Sequence, residues 1–310
     1  MGTAADPASP GRACPLHYRY RPEDIAAAPL REAEILYVVG GLYGNGPALA
    51  AVEAMAAAEA AYVTMVFNGD FNWFNVDDAS FRAINERVLR HHATLGNVEA
   101  ELFGDDGSAG CGCAYPEDVD DALVSRSNAI HARLRQTADR HPDLVARLAQ
   151  LPMYARYRVG GIHVAVVHGD CESLAGWRFA VDTSATSDEV AAAFRRSACE
   201  LIASSHTCLP VMRRIDGASL LANNGAAGMP NFRDQHSGLL TRIAAIRSPH
   251  PPRYGASLAG IHVDALPIVY DHATWTTDFL ANWPPGSPAH QSYWPRIEQG
   301  PDFGIDQARP

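Results

Sequence analysis

Short apolar runs that alternate with stretches of helical spacing constrain the fold of this chain most strongly. Glu34–Val39 is an apolar run that ends at two glycines, and Tyr62–Phe67 is a second such run. Pro47–Ala60 and Ser80–His91 follow them with helical character. This alternation predicts an α/β layer architecture. Further strands are predicted at Gly161–Val167, Glu200–Ser204, Ala218–Ala222, Leu239–Ile246 and Val263–Tyr270.

Three segments depart from the alternation and define the predicted domain organisation. Residues 1–30 are rich in proline and alanine, and we expect an N-terminal surface arm. Residues 31–310 would form one domain, in which residues 104–150 carry a helical spacing that predicts a cap insertion over the sheet. Residues 272–310 are rich in proline, tryptophan and glycine, and we expect them to wrap the surface.

Charge and hydropathy exclude several classes of function. The formal net charge is −10, whereas a dedicated nucleic-acid binder usually presents a basic face. No apolar stretch reaches the roughly 18 residues of a spanning helix, and the N-terminus does not resemble a signal peptide. The 6 cysteines are spread over 310 residues, which is not the pattern of a small disulfide framework. We therefore expect a cytoplasmic protein with a small-molecule substrate, no nucleic-acid partner and no membrane association. The sequence leaves the oligomeric state open.

Polar side chains that could bind a metal follow four of the apolar runs. They are Asp70 after Tyr62–Phe67, Asn97 after Ala93–Leu95, His168 after Ile162–Val167 and His206 after Leu201–Ser205. In an open α/β sheet, ligands bind at the carboxyl ends of the strands, so these side chains should converge. A mixed oxygen and nitrogen set suits manganese, iron(II) or zinc better than copper. A single histidine after a strand is more often structural, so the prediction of a metal site rests on the four together.

Five motifs in order resemble the calcineurin-like metallophosphoesterase superfamily, over about Ile35 to Gly300. That family has Asp-x-His-Gly-Asn, Gly-Asp, Gly-Asn-His-Asp/Glu, His-Gly and Gly-His-Thr-His. The corresponding segments here are Gly41-Leu42-Tyr43-Gly44-Asn45, Gly69-Asp70, Gly96-Asn97-Val98-Glu99, His168-Gly169 and Ser205-His206-Thr207-Cys208. The resemblance implies a four-layer αββα sandwich and metal-dependent hydrolysis of a phosphoester.

The resemblance also implies that one of the family's two metal-ligand sets is altered. Matching by motif puts one metal on Gly41, Tyr43, Asp70 and Cys208, where glycine has no side chain and tyrosine is rarely ionised. The second set, Asp70, Asn97, His168 and His206, is complete. The family's acid/base histidine corresponds to Val98. The resemblance therefore implies a divalent manganese, iron or zinc ion, about one per chain.

Further candidate residues complete the predicted site. Tyr43 and Glu99 join Asp70, Asn97 and His168 as candidate catalytic residues, and Cys208 is a further candidate metal ligand. The candidate substrate ligands are Asn45, Asn224 beside a glycine-rich turn, and Arg178.

Three functions stay open from the sequence. The first is a hydrolase of a small phosphoester, and the second is a catalytically silent pseudo-phosphatase that binds a ligand. The third is a repurposed single-metal enzyme acting on a non-phosphate substrate, with Tyr43, Cys208 and Glu99 in new roles. A different metal bound by Tyr43, Asp70 and Cys208 is a further alternative, and the roles of Cys111 and Cys113 stay open.

Overall fold

The computed structural model describes residues 10–104, 109–183 and 188–310, and within them the strands form two six-stranded sheets. In chain order the strands are β1 (Leu30–Ala33), β2 (Ile35–Val39), β3 (Val63–Asn68), β4 (His92–Thr94), β5 (Tyr154–Val159), β6 (Ile162–Val167), β7 (Leu201–Ser204), β8 (Pro210–Arg214), β9 (Leu220–Asn224), β10 (Gly238–Ala244), β11 (Tyr254–Leu258) and β12 (Ile261–Ile268). Sheet A has the order β11-β12-β10-β2-β3-β4, and sheet B has the order β1-β5-β6-β7-β9-β8.

Helices cover the outer face of each sheet. They are α1 (Pro22–Ala26), α2 (Gly46–Ala57), α3 (Asp78–Val88), α4 (Asn97–Ala100), α5 (Asp121–Ala138), α6 (Pro142–Leu148), α7 (Asp188–Ser197), α8 (His272–Asn282), α9 (Pro288–Gln299) and α10 (Ile305–Ala308). Side-chain caps fix where several begin: Asn45, Asp77 and Asp120 each accept a hydrogen bond from a first-turn N–H of α2, α3 and α5.

Alternating side chains along the strands create the layers. In β2, Leu36 and Val38 point into the core between the sheets, whereas Tyr37 and Val39 pack under the helices of sheet A. In β6, Val164 and Val166 face sheet A, and Ala165 faces α1 and α7 on the other side. Strand β2 is therefore apolar throughout and β6 is apolar except for His163, as expected for strands covered on both faces. The predicted four-layer αββα sandwich is confirmed.

The terminal segments pack more tightly than the sequence suggested. Of the predicted surface arm, residues 1–30, residues 1–9 lie outside the described part of the chain, and within the rest Tyr18 and Ile25 are fully buried. Residues 272–310, predicted to wrap the surface, form α8, α9 and α10, and Trp283 is 1% exposed. Large aromatic side chains explain the difference, because they bury extensive apolar area wherever a groove accepts them.

The predicted cap of residues 104–150 contains α5 and α6. Helix α5 contacts α3 and α9, so it belongs to the helical layer of sheet A. The loop before α5 reaches the carboxyl ends of the strands, as described below. The predicted domain boundaries themselves stay predictions. No helix in the described part of the chain combines the length and the apolar character that crossing a membrane requires.

Candidate metal centre

Parallel strands bring the four predicted ligands to one edge of the sandwich. Strands β3 and β4 are parallel neighbours in sheet A, and β6 and β7 are parallel neighbours in sheet B. Asp70 follows β3, Asn97 follows β4, His168 follows β6 and His206 follows β7. All four side chains are buried, with exposures between 1% and 6%.

Four acceptor atoms meet at this edge. His168 Nε2 lies 3.1 Å from Asn97 Oδ1, 3.1 Å from His206 Nδ1 and 3.3 Å from Asp70 Oδ1. Asp70, His168 and His206 each place one possible ligand atom within 4.8 Å of those of the other two. Among the described residues, they form the group of His, Cys, Asp or Glu side chains that could hold a metal ion. Asn97 adds an amide oxygen to the same point.

Backbone carbonyls orient these side chains so that their acceptor atoms face inward. His168 Nδ1 lies 2.9 Å from the Asn68 carbonyl, and His206 Nε2 lies 3.1 Å from the Cys113 carbonyl. Each of these ring nitrogens therefore carries a proton and donates it, so the other ring nitrogen of each histidine faces the cluster and offers a lone pair whenever it is not protonated. The Asn97 amide donates to the carbonyl of Cys111 at 2.9 Å, so its oxygen faces the centre. The loop before α5 thus holds two of the four ligands.

The electrostatics of the cluster match a bound cation. Burial lowers the pKa of His206, as does the neighbouring His168, to about 3, so His206 is a neutral imidazole. Burial alone would raise the pKa of Asp70 and lower that of His168, but the attraction between the two groups outweighs burial, so the pKa of Asp70 is lowered and that of His168 is raised. Without a metal ion, a proton on His168 Nε2 therefore faces the ionised carboxylate of Asp70. One carboxylate, one amide oxygen and two imidazoles are ligands that a divalent metal accepts. The residues present therefore fit the metal that the resemblance implies.

Glu99 supports the turn that carries Asp70. Asp70 has a φ of 53°, and its N–H donates to Glu99 Oε2 at 2.7 Å. The other carboxylate oxygen accepts the N–H of Asn72 at 3.1 Å. Burial and the charge of Asp70 raise the pKa of Glu99 to about 7. In this geometry Glu99 positions the turn from behind, and its predicted catalytic role stays a prediction.

The ligand set that departs from the family's pattern, here called the altered half of the site, contains the phenol of Tyr43 and the thiol of Cys208. The Tyr43 hydroxyl lies 3.1 Å from Cys208 Sγ, and a Cβ added to Gly41 would lie 2.9 Å from Cζ of the Tyr43 ring. Burial raises the pKa of Tyr43 and that of Cys208, so both groups are neutral proton donors near pH 7. Cys208 does not join the three-residue cluster among the described residues, and its predicted role as a ligand stays a prediction.

The side-chain donor groups of the three candidate substrate ligands are engaged elsewhere. Asn45 caps α2 and donates to the Gly228 carbonyl at 2.9 Å. Asn224 donates to the carbonyls of Gly40 and Leu239, both at 3.0 Å. Arg178 forms ion pairs with two glutamates, Glu172 and Glu189. The structure therefore does not bring these side chains into the pocket, and their predicted role stays a prediction.

A small pocket, with a cavity volume of about 40 Å³, opens directly over the cluster. Its described lining consists of Tyr43, Asp70, Trp73, Asn97, Val98, Cys113, Tyr115, Trp177, His206, Cys208 and Tyr293. Sequence reasoning missed the four further aromatic residues. Trp73 and Trp177 lie shortly after the Asp70 and His168 motifs, which is a usable signal. Tyr293 comes from α9, and nothing in the sequence around it indicates a site.

Comparison with known proteins supports the fold. The chain is similar to the crystal structure of a metallophosphoesterase from Sphaerobacter thermophilus, with 17% identity and a TM-score of 0.57 over 87% of this chain and 100% of the other. It is also similar to a hypothetical protein from Pyrococcus horikoshii, with 15% identity and a TM-score of 0.58 over 87% of this chain and 99% of the other. No protein-family model and no curated protein sequence matches the chain. The architecture and the order of the metal-binding motifs along it therefore show that this chain has the metallophosphoesterase fold.

Proposed function

We propose that the protein is a metal-dependent hydrolase of a small phosphoester that works with the single ligand set Asp70, Asn97, His168 and His206. The observation that carries the proposal is the inward orientation of four acceptor atoms. Both histidines and the asparagine donate outward to backbone carbonyls, so nothing within the cluster except a cation or a proton satisfies the inward lone pairs. The pocket over the cluster is lined by a few polar groups among apolar and aromatic side chains, as sites for small molecules are.

A bound divalent ion would supply Lewis acidity toward a phosphoryl oxygen and would lower the pKa of water. The chain itself contributes the remaining groups. Tyr43 and Cys208 line the pocket together with Asp70. By motif, both stand at positions where the family has ligands of its other metal. Because both are protonated, they can donate hydrogen bonds to negative charge that develops on the phosphoryl group or the leaving oxygen.

The first test measures metal content and hydrolysis on the same preparations. Protein purified from metal-replete medium should contain about one manganese, iron or zinc ion per chain by elemental analysis. It should hydrolyse p-nitrophenyl phosphate or bis(p-nitrophenyl) phosphate, and a chelator should stop the reaction. His168→Ala should lose both metal and activity. His163→Ala is the matched control, because His163 lies in the same strand region and pairs with Glu200 outside the site.

A specific observation favours a second candidate, a binding module without turnover. By motif, Tyr43 stands where the family has a histidine ligand of its other metal, and Val98 stands where the family has its acid/base histidine. Bound metal without hydrolysis of either ester would support this candidate, or an enzyme acting on a non-phosphate substrate. Metal-free protein from metal-replete medium would contradict the leading proposal and the single-metal alternative together.

A further inference from the structure

We propose that the N-terminal segment, residues 10–20, positions two of the metal ligands, Asn97 and His206, and thereby sets the affinity of the site for its metal. The segment acts through the loop before α5, residues 109–120. This inference rests on the metal site of the proposed function and concerns how this chain builds that site. The segment precedes the part of the chain that carries the five motifs, so the family resemblance assigns it no role.

The loop before α5 reaches the metal site through two backbone carbonyls. The Cys111 carbonyl accepts the amide N–H of Asn97 at 2.9 Å, and the Cys113 carbonyl accepts the Nε2–H of His206 at 3.1 Å. The position of a carbonyl depends on the path of the backbone, so the loop determines how both ligands point. Loss of a group that orients a metal ligand typically weakens metal binding by about 10- to 100-fold.

Backbone hydrogen bonds to the N-terminal segment hold this part of the loop. Residues 109–120 contain no helix or strand, so their position depends on such contacts. The Gly11 N–H donates to the Ala109 carbonyl at 2.8 Å, and the Tyr115 N–H donates to the Gly11 carbonyl at 3.0 Å. These two bonds lie on either side of Cys111 and Cys113 in the sequence. The part of the loop that holds the ligands is therefore attached to the segment at both of its ends.

Arg12 attaches the rest of the loop to the same segment. Its guanidinium donates to the carbonyls of Pro116 and Val119, and it pairs with Asp121, the first residue of α5, at 2.6 Å. A planar guanidinium makes several directed hydrogen bonds at once, which a lysine ammonium does not do in the same geometry. Arg12 is therefore a positioning residue that acts on the metal site through the loop.

Tyr18 contacts the loop between the two carbonyls that hold the ligands. Its side chain is fully buried, and its hydroxyl donates to the Glu101 carboxylate. A Cβ added to Gly112 would clash with the same hydroxyl, so the phenol lies directly against the loop. The Tyr18 carbonyl accepts the Leu174 N–H at 3.0 Å. The segment therefore joins the loop before α5 to the loop that follows a third ligand, His168.

Metal titration tests the inference with the metal alone as the probe. Isothermal titration calorimetry with Mn²⁺ compares the wild type with Arg12→Ala and Tyr18→Phe. We expect Kd to rise by about tenfold in each variant, because the loop no longer holds Asn97 and His206 in place. Arg21→Ala is the matched control, since Arg21 follows directly on the segment but pairs with Asp24 of α1. Its Kd should equal that of the wild type.

The absorption spectrum of bound Co²⁺ separates positioning from a purely structural role. At saturating Co²⁺ the spectrum reports coordination geometry, so displaced ligands should change it in Arg12→Ala and Tyr18→Phe. A residue that only stabilises the fold would change urea denaturation and leave Kd and the spectrum as in the wild type. That result, in either variant that is folded by circular dichroism, would overturn the inference.

A milder variant keeps the test decisive if both of these fail to fold. Arg12→Lys keeps the positive charge near Asp121 but cannot bind all three acceptors. Its Kd for Mn²⁺ should lie between those of the wild type and Arg12→Ala. Equal Kd values for Arg12→Lys and the wild type, where neither of the first two variants folds, would overturn the inference.

The outcomes for the two proposals are separable. Mn²⁺ binding that depends on Arg12, without hydrolysis of any ester, would contradict the proposed function alone. Mn²⁺ binding that is equal in the wild type, Arg12→Ala and Tyr18→Phe, together with hydrolysis, would contradict the positioning role alone. A wild-type protein that binds no divalent ion would contradict both.

Discussion

The ring of Tyr43 occupies the space that a side chain at Gly41 would need. A Cβ on Gly41 would lie 2.9 Å from both Cζ and the hydroxyl oxygen of Tyr43, which is closer than real Cβ contacts. The two positions are therefore sterically coupled: a glycine at 41 permits the large ring at 43. The altered half of the site is thus a packed arrangement of its own and not a vacant remnant of a metal site.

This coupling predicts a steric penalty for a side chain at position 41. Gly41→Ala should lower the free energy of unfolding by about 1–3 kcal/mol, because it combines an unfavourable φ of 67° with the clash. Urea denaturation measures the change. Gly260→Ala is the matched control, since Gly260 has a φ of 82° but no atom within 4 Å of an added Cβ. Equal losses in the two variants would show that the ring of Tyr43 moves aside at no cost.

Replacing the ring should make room for a second metal. The triple variant Gly41→Asp, Tyr43→His, Cys208→His restores the ligand types that the family resemblance implies. We expect elemental analysis to give about two divalent ions per chain in place of about one. Gly41→Asp alone should not raise the metal content, because the Tyr43 ring remains in place. A triple variant that folds but still binds about one ion would show that the surrounding backbone no longer fits the second site.

The sequence predicts the buried central strands well and misses strands at or near the edges of the sheets. Strands β2, β3, β6 and β7 are mostly buried, so they stand out in the sequence as apolar runs with few polar residues. Strands β5 and β8 pair antiparallel with β6 and β9, and each carries arginines on its exposed side. Their mixed composition gave no apolar run, and sequence reasoning missed them, together with β1 and β11.

The convergence of the candidate metal ligands was predictable for the same reason, because each one follows a buried strand. The groups that orient them were not. The carbonyls of Cys111 and Cys113 hold Asn97 and His206, and a backbone carbonyl has no residue type that marks it in a sequence. The residues of the pocket wall were equally hard to predict from the sequence, because Tyr293 reaches the pocket from α9 through tertiary packing alone.

A buried ion pair away from the site makes a separate stability prediction. Arg242 and Glu59 are both fully buried as side chains, and Arg242 Nε donates to Glu59 Oε1 at 2.6 Å. Arg242→Met should lower the free energy of unfolding by about 3–5 kcal/mol, because it leaves the Glu59 charge uncompensated. Adding Glu59→Met should recover much of the loss in chemical denaturation. A double variant as unstable as the single one would mean that lost packing, and not the unpaired charge, causes the effect.

The raised pKa of Glu99 predicts a stability that depends on pH in the metal-free protein. The folded-state pKa is about 7, because of burial and the charge of Asp70, against an ordinary value of 4.5 for the unfolded chain. The folded protein therefore holds this proton more tightly than the unfolded chain. The stability linked to it is fully present below pH 4.5 and is lost as the pH rises toward 7. The shift corresponds to a change of about 3 kcal/mol across that window.

Glu99→Gln isolates this contribution, since glutamine does not titrate. At low pH the variant should be less stable than the wild type, because an amide N–H replaces one acceptor that the Asp70 turn uses. The gap should narrow as the pH rises from 4.5 toward 7, where the wild type loses its proton. Urea denaturation at a series of pH values, in the presence of a chelator, measures the gap directly. A gap that is constant across this range would mean that Glu99 is already ionised in the folded protein at the lower pH, held by the N–H groups of Asp70 and Asn72.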